Sequence, residues 1–475
     1  MSLVHPHGLF APTAPAPRVS GFAARMATVL TFAAVIAVLG LSSMALIAMG
    51  VPYGAKGGSL ATKIHPATYL GLAAVAVWMV AVGPGKVLGK LAVERAGAAA
   101  FAVASVILFL HSALIVKLPL SAVIDTFLLT VFLFMALDWL DAASRDRLAA
   151  IVHVIMIANA ALGIVEYGSG WRLTPMYDID GTVMSYDWRS TAIFGHPLSN
   201  AFQTGTYLVA LACGAGSRMP TAIRFGAMGL SALALVAFGG RVALVLALAM
   251  VAAIAAIGGL KVLMGRRFRL ADAIVGATIV SLTAIVVVVF IDGGGADKFL
   301  QRFSQDHGSA QTRVSMFRIF GDLDWAQFLA WPDADLITQA QREYALRIGV
   351  ESSEVGLVAS YGLLTAGLFM AALGAFMSDL VRATGKRTIW LVIYFVGVMS
   401  ASTGIANKST NLAMYTVSVF LIMPRDGARR TTPASRSVGT PAPATPIPRT
   451  PVGVAATRRP GVSYGWGEPT RVRRR

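Results

Sequence analysis

Apolar residues in this chain run together in long stretches, where an amphipathic surface helix would space them and a half-buried strand would alternate them. About twelve stretches are long enough to cross a bilayer core about 30 Å thick at about 1.5 Å rise per helical residue. They lie at 26–50, 66–83, 97–116, 119–138, 148–166, 193–213, 222–238, 242–260, 271–291, 354–377, 389–405 and 409–423. The first is too long for a cleaved signal and lacks a small-x-small end, so it is read as a span. The pattern predicts an all-α integral membrane protein of about twelve transmembrane helices.

The polar stretches set the rest of the organisation. Residues 1–25 and 424–475 are expected to be disordered tails, the second holding nine prolines and eleven arginines against Asp426 and Glu468. Helices one to nine fill 26–291, a loop of about 62 residues fills 292–353, and helices ten to twelve fill 354–423. With the N-terminus inside, the short inner loops carry sixteen Lys and Arg and the short outer loops seven, which predicts cytoplasmic termini. The two long loops, 167–192 and 292–353, then lie outside, and the second has aromatic and aliphatic residues at helical spacing (Trp325, Phe328, Leu329, Ile337, Tyr344, Leu346, Ile348), as expected of a packed helical cap.

Composition agrees: 56% of residues are apolar and 13% charged, which excludes an ordinary soluble enzyme. The net charge of +17 would suggest nucleic acid in a soluble protein, but the basic C-terminal tail supplies +9 of it. That tail is read as a topology signal that meets anionic lipid headgroups, with docking of a cytoplasmic assembly partner as the alternative, and no nucleic-acid partner is expected. One cysteine, Cys213, and scattered histidines give no disulfide framework and no strong metal motif. Asp178 and Asp180 are the one spacing kept as a metal candidate, and no cofactor is expected.

Candidate chemistry gathers on the outer side. Arg189, His196 and Asn200 surround the Gly195-His196-Pro197 turn that opens the sixth stretch, where a helix N-terminus favours anions. Arg241 follows Gly239-Gly240 at the next outer turn, against the charge bias. Arg302, Arg313 and Arg318 lie in the long loop; Arg313 and Arg318 are five apart, so a helix would point them differently, and Arg313 is preferred. Glu351 and Glu354 stand at the mouth of the tenth stretch as candidate general bases. Asp125 is expected to pair with Lys117, and His111 and His153 to make helix-to-helix contacts. Planar guanidinium forks suit phosphate oxygens, and three at a membrane boundary fit a lipid pyrophosphate.

In order and spacing, Arg189…Phe194-Gly-His-Pro197…Asn200-Ala, then Gly239-Gly-Arg241, then a long loop with spaced arginines, then Glu354-Val-Gly…Tyr361-Gly362, the chain resembles the O-antigen ligase and Wzy polymerase superfamily, in particular VpsF-like exopolysaccharide biosynthesis proteins. The resemblance implies a GT-C-like, metal-independent, inverting glycosyltransferase of a bacterial inner membrane acting on undecaprenyl-pyrophosphate-linked oligosaccharides. By that analogy Arg189, Arg241 and Arg313 or Arg302 would contact the donor pyrophosphate. The ligases carry a histidine near the end of the long loop, where this chain reads Val350-Glu351-Ser352-Ser353. That departure favours a repeat-unit polymerase with Glu351 or Glu354 as base over a ligase, which would need His307 or His196. A transporter of lipid-linked sugars is the reading from a different class, and it would need a polar central lining that the Ala/Val/Leu-rich stretches support poorly.

Overall fold

The structure, a computed structural model, describes residues 21–54, 57–177, 182–184, 187–265, 315–344 and 350–425, with a few isolated positions between 274 and 288. Arg302, Arg313, His307, Asp178 and Asp180, both expected tails apart from a few residues next to the bundle, and nearly all of the ninth stretch lie outside the described residues. Among the described residues every regular element is a helix or a helical turn, apart from the isolated antiparallel bridge Tyr177–Val183.

In chain order the helices are α1 Phe22–Gly40, α2 Pro66–Val82, α3 Pro84–Glu94, α4 Ala96–Leu114, α5 Leu120–Asp138 and α6 Ala142–Ser169. Then come α7 Pro197–Ala212, α8 Thr221–Phe238, α9 Arg241–Leu263, α10 Trp325–Leu329 and α11 Ala334–Glu343. Last are α12 Ser353–Tyr361, α13 Leu363–Thr384, α14 Ile389–Met399 and α15 Asn411–Ile422. Seven of them (α1, α4, α5, α6, α8, α9 and α13) are long and apolar enough to cross a membrane; counting α2 and α3, which meet at 113°, as one broken span gives eight. These features suggest a multi-pass membrane protein.

Part of the difference from about twelve is that nearly all of the ninth stretch lies outside the described residues, and the rest has a physical origin. The tenth stretch breaks at Gly362 into α12 and α13, while α7, α14 and α15 are 16, 11 and 12 residues long. Every residue of α15 is buried. A helix enclosed by other helices is as apolar as one facing lipid, so hydropathy alone reads both as spans. Aromatic contacts fix α15 in place: Phe134 of α5 meets Phe420 at 5.6 Å, and Phe202 of α7 and Phe395 of α14 meet Tyr415 at 5.8 and 4.9 Å between ring centroids.

The expected Asp125–Lys117 pair is not formed. Lys117 is exposed, and the fully buried Asp125 accepts hydrogen bonds from Tyr53 Oη (2.9 Å), Thr68 Oγ1 (2.8 Å) and the His65 backbone N–H, with Lys408 Nζ 3.6 Å away. Lys408 also donates to the Tyr53 and Lys63 carbonyls and lies 3.4 Å from the centroid of the Tyr53 ring. This knot ties the segment before α2, the start of α5 and the loop before α15. His153 makes the expected contact between helices, Nδ1 to Tyr207 Oη of α7 at 2.9 Å. His111 also meets another helix, its ring 6.3 Å from that of Tyr361 in α12, and reaches the Ala330 carbonyl at 3.2 Å.

The segment 315–344 builds a small core of its own from Met316, Ile319, Ile337 and Ala340, closed by Val350 and Ala359. Ile337 and Tyr344 pack as expected of a cap, but Trp325 is 77% exposed.

Removing one partner of a buried ion pair leaves an uncompensated charge at a cost of about 3–5 kcal/mol. Lys408→Met should therefore lower the thermal midpoint in detergent sharply and Lys117→Met hardly at all, and adding Asp125→Asn to Lys408→Met should recover part of the loss.

Candidate functional site

The loop from α6 to α7 is held by one carboxylate. Glu166, in the last turn of α6 and 2% exposed, accepts the N–H of Leu173 (2.8 Å), Thr191 (2.8 Å) and Ala192 (2.9 Å). Ser190 Oγ adds a bond to the Gly163 carbonyl at 2.6 Å, and Asn159 Oδ1 takes the Ile193 N–H at 3.0 Å. Asn200 belongs to the same framework, since its Nδ2 donates to the Thr191 and His196 carbonyls at 2.5 and 3.0 Å. It fixes the turn from inside and is fully buried.

Arg189 is presented on this frame. Its Nε and Nη2 bind Asp187, with Nη2 to Oδ2 at 2.5 Å, so half of the guanidinium fork is engaged and the Nη1 edge remains for a second acceptor. Arg172 braces the same turn through the Met184 and Asp187 carbonyls. Burial pushes the Asp187 carboxyl up, but hydrogen bonds and charge from Arg189, with Arg172 adding to them, hold it below the usual carboxylate range.

The structure brings Arg189 to the Gly239-Gly240-Arg241 turn. Gly239 has φ +63°, and a Cβ built on it would come within 2.9 Å of Arg189 Cδ and 3.0 Å of the Trp188 ring. Only a residue without a side chain allows that approach together with that backbone angle. Gly240 packs on Ala201 of α7, and Arg241 is the first residue of α9. A cation at the first position of a helix adds to the positive end of the helix dipole. Arg189 is thus paired with Asp187 and packed on the turn that opens α9, with Arg172 on the carbonyls of the same loop and Glu166 holding the loop through backbone amides.

His196 caps α7, half-buried and within electrostatic reach of Arg189 and Asp187. Its Nδ1 accepts the Leu198 N–H at 3.2 Å, so the neutral ring carries its proton on Nε2 and offers a donor where a general base needs an acceptor. The contact gives His196 a capping role, and a base role in the ligase alternative would have to use the ring differently.

The acids stand elsewhere. Glu354, in the first turn of α12, accepts Ser352 Oγ at 2.9 Å and Ser400 Oγ at 2.7 Å. It sits at the rim of a cavity of about 220 Å³ between α13 and α14, lined chiefly by Met370, Leu373, Met377, Val392 and Phe395. Glu351 is half-buried just before the α12 cap, Ser352. Arg318 is exposed on the short 3-10 turn Met316–Gly321. No group of three His, Cys, Asp or Glu able to hold a metal occurs among the described residues.

No family model, curated protein or solved structure matches the chain.

Glu166, Asp187 and Arg172 are the residues that sequence reading passed over. An acid in the last turn of an apolar span, and an acid two residues before the arginine of interest, are the signals that point to the first two. Replacing Glu166 by Gln sets an NH₂ against backbone N–H groups, so a loss of about 1–3 kcal/mol is expected, read as a lower thermal midpoint and faster hydrogen exchange at Leu173, Thr191 and Ala192. The lowered Asp187 carboxyl makes its contribution present above the ordinary carboxylate range and lost only as pH falls through the lowered value. After correction for intrinsic rates, exchange at Ser190 should therefore stay flat from neutral to mildly acidic pH, whereas Asp187→Asn should raise it throughout.

Proposed function

We propose that this chain is a repeat-unit polymerase for an exopolysaccharide or O-antigen, transferring a glycan from a polyprenyl pyrophosphate to a lipid-linked acceptor sugar at the extracytoplasmic face of a bacterial inner membrane. The observation that carries the reading is the packing of Arg189 against the turn that sets Arg241 at the start of α9. In this reading the bundle has about twelve spans, both termini are cytoplasmic, and residues 292–353 cap the site in a GT-C-like arrangement.

The acceptor hydroxyl attacks the anomeric carbon of the donor, the bond to the pyrophosphate oxygen breaks, and the lipid pyrophosphate leaves with the electron pair. Negative charge grows on that leaving group. The Nη1 edge of Arg189, the Arg241 guanidinium and the Nε2–H of His196 are donors suited to it, and Arg302 or Arg313 would join them. The hydroxyl proton goes to Glu351 or Glu354. Glu354 already accepts two serine hydroxyls, the same kind of donor as a sugar. The cavity beside it is apolar, as a lipid chain requires.

A second reading, a transporter of lipid-linked sugars, is favoured by one feature of α7 and α15. Gln203, Tyr415, Thr416 and Ser418 put polar atoms without hydrogen-bond partners into the buried centre, contrary to the expected apolar lining. A ligase is the remaining alternative.

The test is deletion of the gene followed by complementation, with lipid-linked glycans resolved on a gel. Arg189→Ala and Arg241→Ala should each lower polymer formation by on the order of 10²-fold while single lipid-linked repeats accumulate at normal protein levels. Lysine should not restore either site, because it lacks the planar fork. Glu351→Gln and Glu354→Gln separate the two candidate bases. Long lipid-linked chains would make the protein a ligase, and repeats held on the cytoplasmic leaflet would make it a transporter.

A further inference from the structure

The segment 315–344 exposes large aromatic surface that its own core does not use. Trp325 is 77% exposed, and Phe317 and Trp331 are each 58% exposed. Exposed aromatic area of this size on a segment outside the spans calls for a partner.

The position of the segment identifies that partner. The Ala330 carbonyl bonds His111 in the last turn of α4, and the Leu329 carbonyl approaches Gly362 so closely that a Cβ there would sit 2.8 Å from it. Trp331 follows Ala330 directly, and Trp325 lies one helical turn before Leu329. Both tryptophans therefore stand at the level where α4 ends and α13 begins. The apolar face of the spans is open to the surroundings at that same level, with Leu114 75% and Leu364 64% exposed. Tryptophan collects at such boundaries because its ring is apolar and its N–H is wet.

We propose that residues 317–331 form an interfacial anchor that inserts Trp325 and Trp331 into the headgroup layer of the bilayer, continuing the lipid-facing surface of α4 and α13. The lipid it fits is electrically neutral at the headgroup. Segment 315–344 holds Asp322, Asp324, Asp333, Asp335 and Glu343 against Arg318 and Arg342. Three of its four aspartates are used within the segment: Asp324 and Asp333 cap α10 and α11, and Asp322 accepts Tyr344 Oη at 2.8 Å. Insertion thus rests on the aromatic rings, and attraction to anionic lipid plays no part. The anchor holds whatever reaction the bundle performs.

The experiment places the full chain in nanodiscs of phosphatidylcholine carrying a nitroxide either near the headgroup or deep in the acyl chain. Tryptophan emission is compared between the parent and Trp325→Phe, Trp331→Phe and the double variant. The emission assigned to these two residues by difference should lose most of its intensity to the shallow nitroxide, less to the deep one and little to aqueous acrylamide. Replacing part of the phosphatidylcholine by phosphatidylglycerol should not strengthen that loss. The single Trp325→Phe change keeps the test valid should the double variant fail to fold, since Trp325 contributes no core contact beyond the edge of Phe328. Difference emission quenched by acrylamide and indifferent to both nitroxides would overturn the anchor. So would a blue shift seen only on adding a soluble oligosaccharide, which would make the rings a sugar-stacking surface.

Discussion

A membrane bundle cannot leave a buried carboxylate or a freed backbone amide without a partner, and this fold meets both demands with the same groups. Among the described residues, four nearly or fully buried carboxylates lie at or near helix ends. Asp125 takes the His65 amide and Lys408, Asp138 takes Arg95 and Lys90, Asp379 takes the Ala98 amide and Arg382, and Glu166 takes three amides of one loop. Each joins an element to another that is not its neighbour along its own helix. The hydrophobic interior then packs between fixed ends, through the aromatic contacts that run from α5 and α7 into α15.

The candidate site follows from that arrangement. Glu166 determines where the loop re-enters the bundle, Asp187 and Arg172 determine how Arg189 leaves it, and Gly239 makes room for the arginine stem. Positive charge is concentrated where two helices begin, and Asp187 occupies one edge of the Arg189 fork. In the proposed reading, such a site would meet an anion with donors whose geometry is set before the ligand arrives. Glu354 and its serines belong to a different pair of helices, beside an apolar cavity, so the proposed transfer divides donor charge and acceptor activation between separate parts of the scaffold.

Helicity and a membrane setting were legible in the sequence because uninterrupted apolar length is a one-dimensional property. So were the turns at Gly195-His196-Pro197 and Gly239-Gly240, since glycine and proline act locally. What hydropathy could not separate was a helix facing lipid from one enclosed by protein, which is why the enclosed α7 and α15 read like lipid-facing spans. Ion-pair partners were illegible for a related reason. Lys117 is near Asp125 in sequence, but Lys408 is near it in space, and only the packing of α15 brings the loop before it back to α5. The role of His196 depended on a single backbone N–H fixing its tautomer, a detail below the resolution of any spacing argument.

The complete enclosure of α15 bears on how the molecule comes into being. Translation delivers the chain from its N-terminus, so the helices that surround this one exist before it does. Until residues 411–422 arrive, Phe134, Phe202 and Phe395 face a gap, and the polar side chains of α7 lack their neighbour. The described bundle therefore closes around a helix made after all the others that enclose it, a late keystone without which the centre would be hollow.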